Sequence, residues 1–240
     1  MRLNKFLAMA GVAARRKCDA LILEGKVFVN NQKIQTLGYQ IDEKKDKVFF
    51  DGKEINLPSN FLYFKLNKPK GYLCTSQDDR KRKTVFDIVS VKDARLFCVG
   101  RLDYNTEGLL IITNDGVFAE KLIHPSFDIE KEYHCTVKGE LKESELAVLR
   151  AGVVENGTRL PKAKVKVLAI ENTPNGKRTK LSIKIKEGLN RQIRRMFKVI
   201  NRDIILLKRV AIGDITLGGL PRGQFKPLTQ KEILCLDSYI

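Results

Sequence analysis

Asp103 stands in the stretch Gly100, Arg101, Leu102, Asp103, Tyr104, Asn105, Thr106, Glu107, Gly108, Leu109, Leu110, a polar turn between two apolar runs. An acid placed there can act as a nucleophile or a general base if a partner keeps it ionised. It can equally well do nothing more than close the turn, a common use of aspartate. Far downstream, Asn190 can cap a helix in which Ile193, Met196, Phe197 and Ile200 make a core-facing stripe, leaving Arg191, Arg194 and Arg195 on its other faces. Three arginines thus crowd one or two turns, and by position and charge Arg191 and Arg195 suit contacts with a nucleic-acid backbone. Metal chemistry finds little support. The only histidines are His124, read as a helix end before Pro125, and His134, read as a strand side chain, and no carboxylates cluster with them.

The elements that must position these groups fall into two parts. In the first, Leu3, Phe6, Leu7 and Ala10 lie at helical spacing before Gly11, and Cys18, Leu21 and Ile22 mark a second helix ending near Gly25. Val27 and Val29 then alternate as a strand before an Asn30-Asn31 turn, so the order is helix, helix, strand, turn, strand. Arg2, Lys5, Arg15, Arg16 and Lys17 lie off the apolar stripes, as a solvated face or as a row of phosphate contacts. From Gly52 to Asn60 periodicity is lost and a linker is expected. Beyond it, Tyr63 to Asn67 alternates as a strand, and further strands are predicted at 97–99, 109–113, 133–137, 164–170 and 179–185. Helical patterns fall at 117–123, 143–151 and 191–200. The predicted fold class is therefore α+β: a small helix-helix-strand domain, then a domain on a mostly antiparallel mixed sheet with flanking helices. The expected boundaries are 1–52, a linker at 53–60, and 61–240.

The chain has 240 residues with Lys and Arg at 45 against 28 Asp and Glu, a net charge of +17. That balance favours polyanionic partners, although charge also serves solubility. No polybasic terminus or long cationic amphipathic helix points to a membrane. Cys18, Cys74, Cys98, Cys135 and Cys235 are scattered and never form C-x-x-C, so reduced, semi-buried thiols are expected rather than a disulfide framework or zinc site. The first residues lack a signal-peptide core and the apolar runs are too short to span a bilayer, which makes the cytoplasm the expected location. The run Asp78, Asp79, Arg80, Lys81, Arg82, Lys83 reads as a surface loop that either solubilises or grips RNA.

RLNKFLAMAGVAARR followed by GKVFVNNQKI resembles a small RNA-binding domain first recognised in a ribosomal protein of the small subunit. It departs from the usual form at Ala14, where a serine is common, and at Asn31, where a glycine is. KLNKPKGYLCT, GRLDYNTEGLLIITNDG, EKEYHCTV and EGLNRQIRRMF resemble, in the same order, the motifs of ribosomal-RNA pseudouridine synthases. The resemblance implies that Asp103 is the catalytic residue, that Tyr133 packs on the target uracil, and that Arg194 pairs with the aspartate. It places Lys68 and Lys70 near the cleft. Arg101 is expected to reach the flipped nucleotide's backbone, and Asn105, Thr106 and Gly108 to shape the loop. Each cation also has a bland reading as a solvated or structural charge, and Tyr133 one as an ordinary strand aromatic.

These roles are physically coherent. Isomerisation breaks the bond from uracil nitrogen to ribose, rotates the base and re-attaches it at carbon 5, so the base must leave its stack and enter a pocket. A dry pocket disfavours a carboxylate's charged form, and an adjacent guanidinium favours it. Sugar attack, addition to the base and elimination through a glycal all remain open, and all need an ionised acid. The rearrangement is redox-neutral, so no cofactor and no metal are expected, and a monomer is the simplest assembly. The expected partner is ribosomal RNA, free or in a partly assembled subunit. The NTEGLL wording favours the large-subunit 23S RNA, with small-subunit 16S RNA as the alternative. The competing classes are a non-catalytic ribosome-assembly protein on the same scaffold and a metal-dependent hydrolase.

Overall fold

The computed structural model describes residues 1–76, 78–91 and 94–237, so the last residues of the expected second domain, 238–240, lie outside it. The chain divides into two compact units, one of Met1–Leu62 with Val91–Leu96 and Asn114–Gly116, the other comprising Tyr63–Ser90, Phe97–Thr113 and Val117–Ile240.

In the first unit, α1 (Leu3–Met9) and α2 (Arg15–Leu23) precede β1 (Val27–Val29), β2 (Gln32–Ile34), β3 (Val48–Phe50) and β4 (Lys53–Ile55). The strands form one antiparallel sheet in the order β2-β1-β3-β4. Leu3, Phe6 and Leu7 of α1, Cys18 and Ile22 of α2, and Val27, Val29, Ile34 and Val48 of the strands share one buried core. Helical spacing and strand alternation therefore point inward as read from sequence. The linker expected at 53–60 needs correction: Lys53–Ile55 pairs with β3, Val48 opposite Ile55. Asp51 and Gly52 both take positive φ, a tight hairpin turn whose polar composition looks like a linker in one dimension.

The second unit runs β5 (Tyr63–Lys68), β6 (Phe97–Val99), β7 (Glu107–Thr113), α3 (Gly116–Ile123), β8 (Lys131–Lys138), α4 (Glu143–Ala151), β9 (Val153–Glu155), β10 (Thr158–Leu160), β11 (Lys164–Thr173) and β12 (Gly176–Ile185). It continues with α5 (Gln192–Val199), β13 (Ile204–Ile212), β14 (Ile215–Thr216), β15 (Phe225–Pro227) and α6 (Gln230–Asp237). Its main sheet has the order β11-β12-β8-β13-β7-β5-β15, with β14 on β13 and β6 on β7. The sheet is antiparallel except where β13 runs parallel to β7, Lys208 opposite Glu107 and Arg209 opposite Gly108. That parallel join requires a glycine. Gly108 has φ of +109°, and a Cβ there would stand 2.1 Å from the Arg209 carbonyl oxygen. The mixed α+β architecture is the one expected.

Both faces of β5 are covered, and its polar side chains bond internally. Lys65 Nζ reaches Glu232 of α6 and the Thr216 carbonyl at 3.0 Å, while Asn67 Nδ2 donates to the Leu220 carbonyl at 2.8 Å. No helix among the described residues is long and apolar enough to cross a membrane.

Candidate active site

Asp103 lies in the loop from β6 to β7, and that loop is pinned at every carbonyl from 103 to 106. Thr106 N–H and Lys68 Nζ donate to the Asp103 carbonyl (3.0 and 3.1 Å), and Gly71 N–H donates to that of Tyr104 (2.9 Å). Arg194 Nη2 donates to Asn105 O (2.9 Å), and Lys68 Nζ to Thr106 O (3.0 Å). Lys68 also donates to the Pro69 carbonyl at 3.1 Å. Just before the aspartate, Leu102 N–H donates to Cys74 Sγ and Leu102 O accepts from it, each at 3.4 Å. A backbone so fully bonded fixes the point from which the carboxylate projects.

Lys68 is 0% exposed, which corrects its expected role as an RNA contact. Burial lowers its pKa, and nearby acidic groups, Cys74 first and then Asp103, oppose that shift. It is a structural cation under the loop. The Cys74 thiol in turn is lowered to about 6, chiefly by the hydrogen bond from Cys98.

The Asp103 carboxylate is 31% exposed, with its Oδ2 3.8 Å from Arg194 Nε and 3.9 Å from Arg191 Nη1. These are ion-pair distances longer than a hydrogen bond. Arg194 is the more buried of the two, and desolvation lowers its pKa, with Arg191 adding to the shift and Asp103 opposing it. Besides Asn105 O, its Nη2 reaches Thr106 Oγ1 at 3.3 Å. The helix that carries these arginines begins differently from expectation. Asn190 does not cap it; Arg191 stands at the cap in a left-handed conformation with φ of 50° and makes no side-chain cap bond. The turn before it is closed by Gln192, whose Oε1 accepts from Leu189 N–H at 3.2 Å. Arg195 also departs from expectation. Its Nε pairs with Glu155 of β9, a partly buried ion pair that commits the cation internally and corrects its reading as an RNA contact.

A cavity of about 380 Å³ opens beside Asp103, within the usual size of small-molecule sites. Arg101, Asp103, Tyr133, Arg191 and Arg194 all line it, so the structure brings together five of the residues singled out in the sequence. Tyr133 is 9% exposed on β8, directly opposite Arg209 of β13. Arg209, Gln192 and Lys131 line the same cavity and were given no role from sequence. The local signal for Arg209 is an arginine interrupting the apolar, β-rich run Ile204 to Ile212.

Among the described residues, five buried side-chain atoms lack a hydrogen-bond partner: Asn4 Oδ1, Asn67 Oδ1, Gln192 Nε2, Arg194 Nε and Arg209 Nη2. The last three belong to cavity residues, and all three are donors. A second, more open cleft of about 420 Å³ shares Arg191 and Arg194 with the first and adds Lys198, Asn201 and Arg202. Lys70 and Arg101 are exposed, as are Arg2, Arg15, Arg16 and Lys17, while Lys5 is half-buried. Among the described residues, no group of three or more metal-ligating side chains comes together.

Comparison with known proteins places this geometry. The RNA pseudouridylate synthase family model matches residues 63–198, and the S4 domain model matches residues 1–48. The ribosomal large subunit pseudouridine synthase B of Bacillus subtilis is 41% identical over 97% of this chain and 93% of its own length. An uncharacterised RNA pseudouridine synthase of Aquifex aeolicus is 39% identical over 97% and 92%. A crystal structure of a pseudouridylate synthase superposes with a TM-score of 0.70 at 28% identity, covering 98% of this chain and 99% of that one. The chain belongs to the RNA pseudouridylate synthase family, with an S4 domain at its N-terminus.

Proposed function

We propose that the chain converts a specific uridine of large-subunit ribosomal RNA to pseudouridine, with Asp103 as the catalytic residue. The observation that carries this reading is the carboxylate held between Arg194 and Arg191 at a cavity walled by Tyr133. The two guanidinium groups lie 3.8 and 3.9 Å from its Oδ2. A flipped uracil packs its face on the Tyr133 ring, and its carbonyl oxygens meet a wall of unpaired donors. The choice of large-subunit RNA follows the name of the Bacillus subtilis relative and the NTEGLL stretch.

In this reading the N-terminal unit grips RNA through Arg2, Lys5, Arg15, Arg16 and Lys17, and Lys70, Arg101 and Arg191 hold the backbone around the flipped nucleotide. The open cleft through Lys198 continues that track. The protein acts in the cytoplasm during ribosome biogenesis, as a monomer, on free RNA or a partly assembled subunit. It needs no metal or organic cofactor, because the N1–C1′ bond is exchanged for a C5–C1′ bond and the C5 proton for one on N1, a redox-neutral rearrangement within one nucleotide.

Tritium release from ribosomal RNA labelled at uracil carbon 5 tests the activity. Purified protein should liberate label, and none from either free RNA or partly assembled subunits would leave only a ribosome-binding role. Mapping pseudouridines in cells lacking the gene names the position. Loss of a mark from 16S rather than 23S RNA would overturn the subunit assignment.

A further inference from the structure

Arg209 is a buried cation without a counter-ion. It is 5% exposed, its Nε donates to the Leu109 carbonyl at 2.7 Å, and its Nη2 is buried with no acceptor. Among the described residues it forms no ion pair, whereas Arg194 has Asp103 and Arg195 has Glu155. An unpaired charge held out of water costs several kcal/mol unless something in the working state offsets it. The fold nevertheless holds this side chain in place. Its backbone sits against Gly108, its Nε is anchored, and its Cα lies opposite Tyr133 on the neighbouring strand. Cross-strand partners project from the same face of a sheet, so the guanidinium and the phenol ring face one cavity side by side. Lys131 lines that cavity too, its Nζ donating to the Lys186 carbonyl at 2.9 Å. Burial lowers the Lys131 pKa, and the charge of Arg209 lowers it further. The acidic residues of the lining are Asp103, which faces Arg194, and Glu187.

We infer that Arg209 donates from Nη2 to a carbonyl oxygen of the flipped uracil and stabilises the negative charge on the base while it is detached from the ribose. The inference rests on the proposed reaction and deepens it. When the C1′–N1 bond breaks, its electron pair stays on N1 and spreads onto O2 and O4, while the deficit left at C1′ is met by a bond from the Asp103 carboxylate or by loss of the C2′ proton to it. The base then turns, C5 supplies the pair for the new bond to C1′, C5 loses its proton and N1 gains one, with no net oxidation or reduction. Negative charge on the base is greatest between those two bonding events. A fixed, dry guanidinium therefore binds the detached base better than the neutral uridine, which is what accelerates the step. Arginine suits the position because it keeps its proton when buried, where lysine tends to lose it.

The test compares Arg209→Gln and Arg209→Lys with wild type on an RNA fragment carrying either uridine or 5-fluorouridine at the target. Product is read from single turnovers after nuclease digestion. Because 5-fluorouridine has no C5 proton to lose, its C5-linked base keeps the fluorine and takes up water across C6 and N1, and that hydrate is the product scored. RNA affinity is read by filter binding and folding by melting temperature. On uridine, Arg209→Gln should lower kcat by about 10²- to 10³-fold with RNA affinity retained, the loss typical of one oxyanion-type donor. Arg209→Lys should recover part of it. Fluorine makes the base a less basic leaving group that needs less help, so the defect on 5-fluorouridine should be about tenfold smaller. Equal defects on both substrates would reduce Arg209 to a brace for β7 and overturn the proposal, as would a wild-type kcat in Arg209→Gln. If the glutamine variant does not fold, Arg209→Lys carries the same two-substrate comparison. Failure of the wild type itself to turn over uridine would sink the functional reading, an outcome separate from a variant that treats both bases alike.

Discussion

Two sets of cations, one in each unit, are used in opposite ways. In the N-terminal unit Arg2, Arg15, Arg16 and Lys17 are exposed and, among the described residues, enter no ion pair. In the second unit Lys68 and Arg209 are buried, Arg194 faces Asp103 and Arg195 is spent on Glu155. One set is thus left free at the surface, and the other is built into the architecture of a cavity. Charge counted along a sequence predicts the partner, but only burial and pairing tell which cations are left to meet it.

The sharpest way to break this contrast is to remove the group around which the inner cations gather. Asp103→Asn should lower turnover by at least about 10³-fold while RNA binding persists, because only the chemistry depends on the acid. Near-normal tritium release from that variant would dissolve the catalytic assignment. Next in size is a matched pair of neighbouring lysines. Lys68→Met strips the donor from three carbonyls and should destabilise the fold by about 3 kcal/mol in denaturant unfolding, while Lys70→Met should change stability by no more than about 0.5 kcal/mol. Similar values for the two would show that burial does not separate them.

Arg195→Gln should cost about 1–2 kcal/mol of stability by leaving Glu155 unpaired, and should leave the salt dependence of RNA binding as it was. A flattened salt slope would return Arg195 to the RNA interface. The mildest change is neutralising Arg15, Arg16 and Lys17 together. It should leave the melting temperature in place and lower the slope of log Kd against log salt by about 0.7 per lost phosphate contact. An unchanged slope would remove that face from the interface and end the comparison between the units.

Much of this was legible before any coordinates. Periodicity located α1, α2 and most of the long strands because burial of one face imposes it. The four motifs brought Asp103, Tyr133 and Arg194 into one account, and they do line one cavity. What stayed hidden shares a cause. Lys53–Ile55 looked like linker because a polar hairpin strand and a loop have the same composition, and only pairing with β3 distinguishes them. Lys68 looked like a surface cation because its three acceptors come from its neighbour Pro69 and from a loop more than thirty residues away. Asn190 had the chemistry of a cap, yet Arg191 holds the cap position and Gln192 closes the turn. Arg209 showed only as a charge interrupting an apolar run, since its partners lie on strands remote in sequence.

The contact of Gly108 with the Arg209 backbone has a bearing on how the molecule is made. Arg209 and the Leu109 carbonyl that anchors it are 100 residues apart in the chain, and β13 is inserted between strands that precede it. A growing polypeptide that has already formed the aspartate turn therefore has an incomplete pocket until almost its whole length has been synthesised. Long-range pairing of that kind closes late, because the loop entropy must be overcome first. The cavity is thus closed only when β13 pairs, and a chain stopped before β13 would carry Asp103 without the wall that Leu207, Arg209 and Ile212 supply.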